Sequence, residues 1–389
     1  MTLIINKRIQ GVAPSSTLAI TARAKELRVQ GCDVVNFAGG EPDFDTPDAI
    51  KKAAIQAMEK GQTKYTPSIG TPDLRKAIAE KFKKDNQLKY DPAQIAVSCG
   101  AKHSLYCIIQ VLVDAGDEVL IPSPYWVSYP EMVKLAGGTP VFVPTTVETN
   151  LKVTPELLNA QITANTKVLI LNSPSNPTGM LYRKDELTAI VDVCLKNNIY
   201  IISDEIYEKL IYDTTSYTSV ASLSPEAYEN TITVNGVSKA FSMTGWRIGY
   251  CAGKKEIIGF IKKFQDHSTS NPCSISQAAA LEAIKSPEKI ITAMRDKFKS
   301  RRELIMSGID AIDTVSYIKP EGAFYLFCDV SKLGNSMDVA KRILDEVNVA
   351  MIPGEGFGAP GFVRLSFATS AERIKEGTKR IADWVKKNA

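Results

Sequence analysis

Six short apolar runs recur between residues 94 and 234: Gln94–Val97, Glu118–Ile121, Thr139–Val143, Lys167–Leu171, Tyr200–Ser203 and Thr231–Val234. Segments with helical spacing, such as Ser104–Val113 and Lys184–Asn197, separate them. Apolar strands alternating with helices mean βαβ units. The expected fold class is therefore α/β, with a large, mostly parallel sheet. Such a sheet binds ligands beyond the carboxyl ends of its strands, and chemistry is sought there.

At 389 residues the chain exceeds the ~250–300 that one core accommodates. Residues 1–45 read as an N-terminal arm and part of a small domain, 46–285 as the large domain, and 286–389 as the rest of the small one. The last part alternates as strands at Gly322–Asp329 and Gly361–Phe367, with helices at Met337–Glu346 and Ala371–Lys387. That pattern is α+β. Ser286-Pro287 caps a long helix expected to reach about Ile312. In it Met294, Phe298 and Ile305 keep helical spacing, while Lys297, Lys299, Arg301 and Arg302 are expected to face water.

A net charge of +4, from 47 basic and 43 acidic residues, gives no footprint for nucleic acid. The seven cysteines form no CxxC pair and read as free thiols in a reducing compartment. No run approaches the ~20 apolar residues of a membrane span, and the N-terminus lacks a leader pattern. The expected location is the cytoplasm, with no membrane partner. Two histidines, His103 and His267, argue against a histidine zinc site or a Ser-His-Asp triad. No metal is expected, and proton chemistry falls to another base.

The strand ends supply one. Beyond Thr231–Val234 the chain turns at Gly236, and Lys239 follows among Ser238, Ala240 and Ser242. Burial disfavours an ammonium, so a lysine in a small, apolar pocket has a lowered pKa and its neutral amine forms imines with aldehydes. Arg247, eight residues on, suits a phosphate. After Gln94–Val97, Gly100 lets the backbone approach a ligand, and the free amides of Ala101 and Lys102 open a helix. By itself that is also an ordinary strand–helix turn. Trp126, after Glu118–Ile121, either stacks on a flat ring or fills core. Asn176 sits in the polar, rigid loop Asn172–Gly179. Asp204 ends an apolar strand, where a carboxylate needs a cationic partner such as a pyridinium N–H, or caps the next helix. Tyr207 follows it by three residues. Arg364, in the apolar strand Val363–Phe367, meets either a substrate carboxylate or a structural salt bridge. Gly356-Phe-Gly358-Ala-Pro-Gly361 matches a dinucleotide-binding glycine pattern but precedes a strand rather than a helix, which is the wrong context.

These motifs occur together and in order: Gly40-Glu-Pro-Asp-Phe44, Tyr65, Gly100–Lys102, Trp126, Asn176-Pro-Thr-Gly179, Asp204 with Tyr207, Gly236-x-Ser238-Lys239, Gly245-x-Arg247-x-Gly249, and Arg364. Over nearly the whole chain the sequence resembles the aspartate aminotransferase family, class I aminotransferases that depend on pyridoxal 5′-phosphate. The resemblance implies a fold type I pyridoxal-phosphate transferase and a homodimer with shared active sites. It implies that Lys239 holds the cofactor as an imine and carries the Cα proton. Asp204 then pairs with the pyridine nitrogen, Tyr207 and Asn176 bond the ring O3′, and Trp126 stacks on the ring beside the substrate. Arg247 and the Ala101 and Lys102 amides, beyond Gly100, bind the phosphate. Tyr65 joins them from the other subunit, and Ser238 either touches the phosphate or is filler. Arg364 takes the substrate α-carboxylate, with the Gly40 backbone and Asn176.

Pro14-Ser-Ser-Thr17, Lys102 and Ser123–Tyr129 are similar to the bacterial subgroup acting on aspartate and sometimes prephenate. There the residue matching Lys102 meets the distal carboxylate, with the Ser15 and Thr17 hydroxyls nearby. The other subgroup uses an arginine from the partner subunit, and none stands in Gln265–Pro272. The implied reaction moves the amino group of L-aspartate to 2-oxoglutarate. The alternative is a prephenate or aromatic oxo-acid acceptor. A lyase or decarboxylase on the same scaffold is the rival of another class; it would consume no 2-oxo acid.

Overall fold

The computed structural model describes residues 5–14, 16–213 and 216–388, without the side chains of 16–19. All six expected strands are present in one seven-stranded sheet. Its spatial order is Ile95–Ser98, Gly249–Ala252, Thr231–Gly236, Tyr200–Asp204, Thr166–Asn172, Glu118–Pro122 and Thr139–Val143. In strands such as Glu118–Pro122, Thr166–Asn172 and Tyr200–Asp204 alternate residues enter different cores, as the two-residue period requires. Val168 and Ile170 meet Ile108, Val133 and Ile261 on one face. Leu169 and Leu171 meet Leu187, Ile190 and Cys194 on the other. Burial on both faces explains why these strands read as continuous apolar runs.

The seventh strand, Gly249–Ala252, was not expected from the sequence. It is four residues long, and glycines 249 and 253 bracket it like a loop. It pairs antiparallel with both Ile95–Ser98 and Thr231–Gly236. Gly249 is required where it stands, because a Cβ there would collide with the backbone of Gly100 and Ala101. The strand thus packs directly under the turn that opens the Ala101–Leu112 helix.

A second, antiparallel sheet of four strands runs Ile352–Pro353, Phe362–Ser366, Tyr325–Asp329, Ser316–Tyr317. The helices Ser336–Val347 and Ala371–Asn388 cover it. Among the described residues no helix is long and apolar enough to cross a membrane.

The long helix spans Lys289–Ile309, and one expectation about it fails. Arg302, expected in water, is wholly buried. It lies four residues after Phe298, on the same stripe as Met294 and Ile305, so the spacing puts it in the core despite its charge. Its Nη1 donates to Pro320 O at 2.9 Å, its Nη2 donates to Asp213 Oδ2 at 2.9 Å, and the guanidinium lies 4.8 Å from the Tyr212 ring centre. Arg301, also expected in water, is half-buried: it grips Asp43 with two bonds of 2.6 and 2.9 Å and lies over Phe44.

Truncating Arg302 to alanine would leave a cavity and an unbonded Pro320 carbonyl. Chemical denaturation should show a loss of about 3 kcal/mol. Arg302→Lys should recover less than half of it, because one ammonium cannot make the planar fork.

Candidate active site

The parallel strand ends open onto a cavity of about 450 Å³. Lys239 follows the Thr231–Gly236 strand, and Asp204 ends its parallel neighbour, in register with Val234. The Lys239 amine donates to Gly40 O at 2.6 Å. Burial pulls its pKa down to about 8; Glu41 opposes the shift, and Arg364 and Arg247 add to it. Burial raises Asp204 to about 6, although Tyr129 OH donates to its Oδ2 at 2.7 Å. The capping alternative for Asp204 survives only as a minor contact: its Oδ1 accepts from Ile206 N at 3.3 Å.

Gly100 has φ +91°, and a Cβ there would strike the Arg247 guanidinium. Glycine therefore meets two demands at once, a left-handed turn and close approach. Ala101 and Lys102 begin the Ala101–Leu112 helix, where first-turn amides have no intrahelical acceptor. Arg247 donates to Thr244 O at 2.9 Å and reaches Cys99 O, closing the same cup. Ser238 is buried on the cavity wall. Lys102 lies 4.8 Å from the Trp126 ring centre, and burial, then Arg247, lowers its pKa. Trp126 lines the cavity as well as packing against Tyr129.

The second sheet contributes Arg364, paired in register with Phe327. Its Nη1 donates to Asn176 Oδ1 at 2.9 Å and its Nη2 to Ala38 O at 3.0 Å, while Nε is buried and has no partner among the described residues. Among the described residues it makes no salt bridge, so the structural-bridge alternative fails. Tyr207 OH and Tyr325 OH are 2.9 Å apart.

Two expected residues lie outside the described set: Ser15 altogether, and Thr17 as to its side chain, though its backbone belongs to the Ser16–Val29 helix. Tyr65 is 91% exposed and does not line this cavity. Sequence reasoning missed Tyr129, Tyr325, Asn172, Glu41 and Thr244. Asn172 had a signal, standing four residues before Asn176, whose amide it binds through Oδ1 at 2.8 Å. Glu41 sits inside the Gly40–Phe44 motif and accepts from Thr244 Oγ1 at 2.6 Å. Four cations (Lys102, Lys239, Arg247, Arg364) and two carboxylates (Glu41, Asp204) line the cavity, a balance that favours an anionic ligand.

Residues 32–381 match the family described as aminotransferase class I and II. The chain belongs to that family. It is 52% identical to an aspartate aminotransferase of Bacillus sp. strain YM-2, over 98% of this chain and 99% of that protein. It is 47% identical to a probable aspartate/prephenate aminotransferase of Aquifex aeolicus, over 96% of each. The aspartate aminotransferase of Thermus thermophilus, solved with maleate, superposes with a TM-score of 0.95 at 42% identity, covering 98% of this chain and all of that one. Class I aminotransferases use pyridoxal 5′-phosphate.

The signs of the two shifts give opposite pH behaviour. Lys239 is depressed from 10.5, so its burial penalty is relieved, and stability rises, as pH climbs from about 8 to 10.5. Asp204 is raised from 3.8, so its contribution is full below 3.8 and is lost as pH climbs through about 6. In cofactor-free protein, labelling of Lys239 by an amine-selective reagent should be half-maximal near pH 8. Asp204→Asn should flatten thermal stability between about pH 4 and 6. A labelling midpoint above about 10, the range of free lysine, would contradict the first expectation.

Proposed function

We propose that the protein transfers the amino group of L-aspartate to 2-oxoglutarate, giving oxaloacetate and L-glutamate. The observation that carries the reading is the pair of cations about the depressed Lys239 amine. Arg364 has a fork with a free buried Nε, and Lys102 stands over Trp126. A dicarboxylic amino acid offers one carboxylate to each. The Thermus thermophilus protein was solved with maleate, a four-carbon dicarboxylate, which supports this choice.

The cavity's features fit pyridoxal 5′-phosphate. Gly100, the Ala101 and Lys102 amides, Ser238 and Arg247 make a phosphate cup. Asp204 is a buried carboxyl with, among the described residues, no cation bonded to it, and suits a pyridinium N–H. Asn176 and Tyr207 can bond a ring hydroxyl, and Trp126 offers a flat face. Bound there, the cofactor supplies an aldehyde for covalent attachment and an electron sink for the pair left when Cα loses its proton. The chain's residues do the rest. Arg364, with the Gly40 backbone and Asn176, fixes the α-carboxylate, which orients the Cα proton. Lys239, with its pKa near 8, takes that proton and returns it. Asp204 holds the ring-nitrogen proton, and Tyr207 and Tyr325 keep the adjoining hydroxyls ordered.

The same proposal includes a homodimer in which Tyr65 reaches the partner's phosphate cup; its exposure in its own chain supports this. It includes a division of the chain at residues 45 and 285, with Gly40 and Arg364 on the smaller part. It also includes the cytoplasm, supported by seven unpaired cysteines. Prephenate is the second acceptor reading, favoured by the Aquifex aeolicus relative and by Lys102 serving in place of an arginine.

The deciding experiment is visible absorbance of the purified protein with pyridoxal phosphate. The band should disappear on adding L-aspartate alone and return with 2-oxoglutarate. A band indifferent to aspartate would refute the acidic-substrate reading. Lys102→Ala should lower kcat/KM for aspartate by about 10–100-fold, the loss of one charge-assisted contact, and leave that for alanine within about threefold. Equal losses on both would contradict the role given to Lys102.

A further inference from the structure

Tyr65 stands at the tip of a loop that is exposed from Gly61 to Tyr65. Exposed tips of this kind are normally the loosest part of a fold. This one is anchored from beneath by two glutamines, Gln265 and Gln277, at 0% and 1% exposure. Gln277 Nε2 donates to Thr66 Oγ1 at 2.9 Å and Pro272 O at 2.8 Å, and its Oε1 accepts from Thr71 N at 2.8 Å. Gln265 Nε2 donates to Ser68 O at 2.8 Å and Val97 O at 3.0 Å, and its Oε1 accepts from Ser98 Oγ at 2.6 Å. Buried glutamines are uncommon, and each of these is bonded at both ends of its amide.

The two differ in what they join. Gln277 holds the loop to the helix Ser274–Lys285 and the segment before it. Gln265 joins the loop to the end of the Ile95–Ser98 strand, where Val97 N also donates to Ile69 O at 3.0 Å. Gly70, at φ +96°, permits that approach, since a Cβ would strike Val97. Gly100, two residues beyond Ser98, donates back to Ser98 O at 2.7 Å and opens the phosphate cup. One buried amide therefore braces both the loop that carries Tyr65 outward and the turn that lines this chain's own cavity.

We infer that Gln265 is a positioning residue serving two cofactor sites at once: through Tyr65 the site of the partner subunit, and through Val97 and Ser98 its own. Gln277 serves the partner's site alone. The inference rests on the reading that Tyr65 reaches the partner's cup. Fixing the phenol beforehand avoids the ordering cost that a loose loop would incur on binding.

The test is the rate of pyridoxal phosphate loss from holoenzyme into cofactor-free phosphate buffer, read by visible absorbance, with Tm measured alongside. Tyr65→Phe and Gln277→Ala should each speed loss by about tenfold, and their combination should be no faster than Tyr65→Phe alone. Gln265→Ala should exceed Gln277→Ala and should still speed loss by about threefold in the Tyr65→Phe background, through its own cup. Ser98→Ala removes one of the two strand-side bonds of Gln265, leaving that to Val97 O, and should give a smaller residual of the same sign if Gln265→Ala does not fold. Full multiplication of Tyr65→Phe with Gln277→Ala, or lowered Tm with unchanged loss rates, would make the glutamines merely structural and overturn the inference. Wild-type loss from Tyr65→Phe itself would instead refute the cross-subunit reading, and the inference would fall with it.

Discussion

A half-buried amine and a buried carboxyl group beyond the ends of two adjacent parallel strands set the terms for the rest of the structure. Burial drives both toward neutrality from opposite sides, Lys239 to about 8 and Asp204 to about 6. Among the described residues neither forms an ion pair. Lys239 bonds a peptide carbonyl, and Asp204 bonds a phenol. Such an arrangement is unfavourable by itself and persists only where the surroundings over-determine it. The surroundings here are a sheet packed on both faces, which fixes the separation of the two strand ends.

The cup proposed to hold the cofactor phosphate depends on the same sheet. Gly249, on the antiparallel strand, lets that strand lie against Gly100 and Ala101; Gly100 in turn lets Arg247 lie against the turn. Gly249 is dictated by a neighbour's backbone, and Gly100 by both the Arg247 guanidinium and its own φ of +91°. A single added methyl at either position would push the cup open.

The sequence made the parallel strands legible because burial on both faces leaves unbroken apolar runs. It made Lys239, Asp204 and Arg364 legible because a charge beside or within such a run demands an explanation. The same reasoning failed at Arg302. There a charge standing in a row of charges suggested solvent, and only its four-residue step from Phe298 revealed the core face. Gly249–Ala252 was illegible because its pairing is entirely non-local. Tyr129 and Tyr325 were illegible because a tyrosine in an apolar stretch reads as core. Both are indeed core, and their place at the cavity shows only in the hydroxyls, which bond Asp204 and Tyr207. The Gly40–Phe44 motif was visible as a loop, but its tether was not: Asp43 is held by Arg301, which is 258 residues away.

The two cations proposed to meet the ends of an acidic substrate, Arg364 and Lys102, are held with different stringency. Arg364 is stacked 4.3 Å from the Tyr325 ring centre and bonded through both terminal nitrogens to neutral oxygens, so its plane is set before anything binds. A carboxylate must arrive in that plane to use the fork. Lys102 is a point charge on a flexible stem above Trp126. Such a charge attracts a carboxylate from a range of positions and fixes none of them. In the proposed function the α-carboxylate, whose placement orients the Cα proton toward Lys239, is assigned to the rigid cation. The distal group, whose placement affects binding more than chemistry, is assigned to the adaptable one. This asymmetry permits substrates whose second carboxylate lies at different distances from Cα, as aspartate and glutamate require of one site that must accept both in turn.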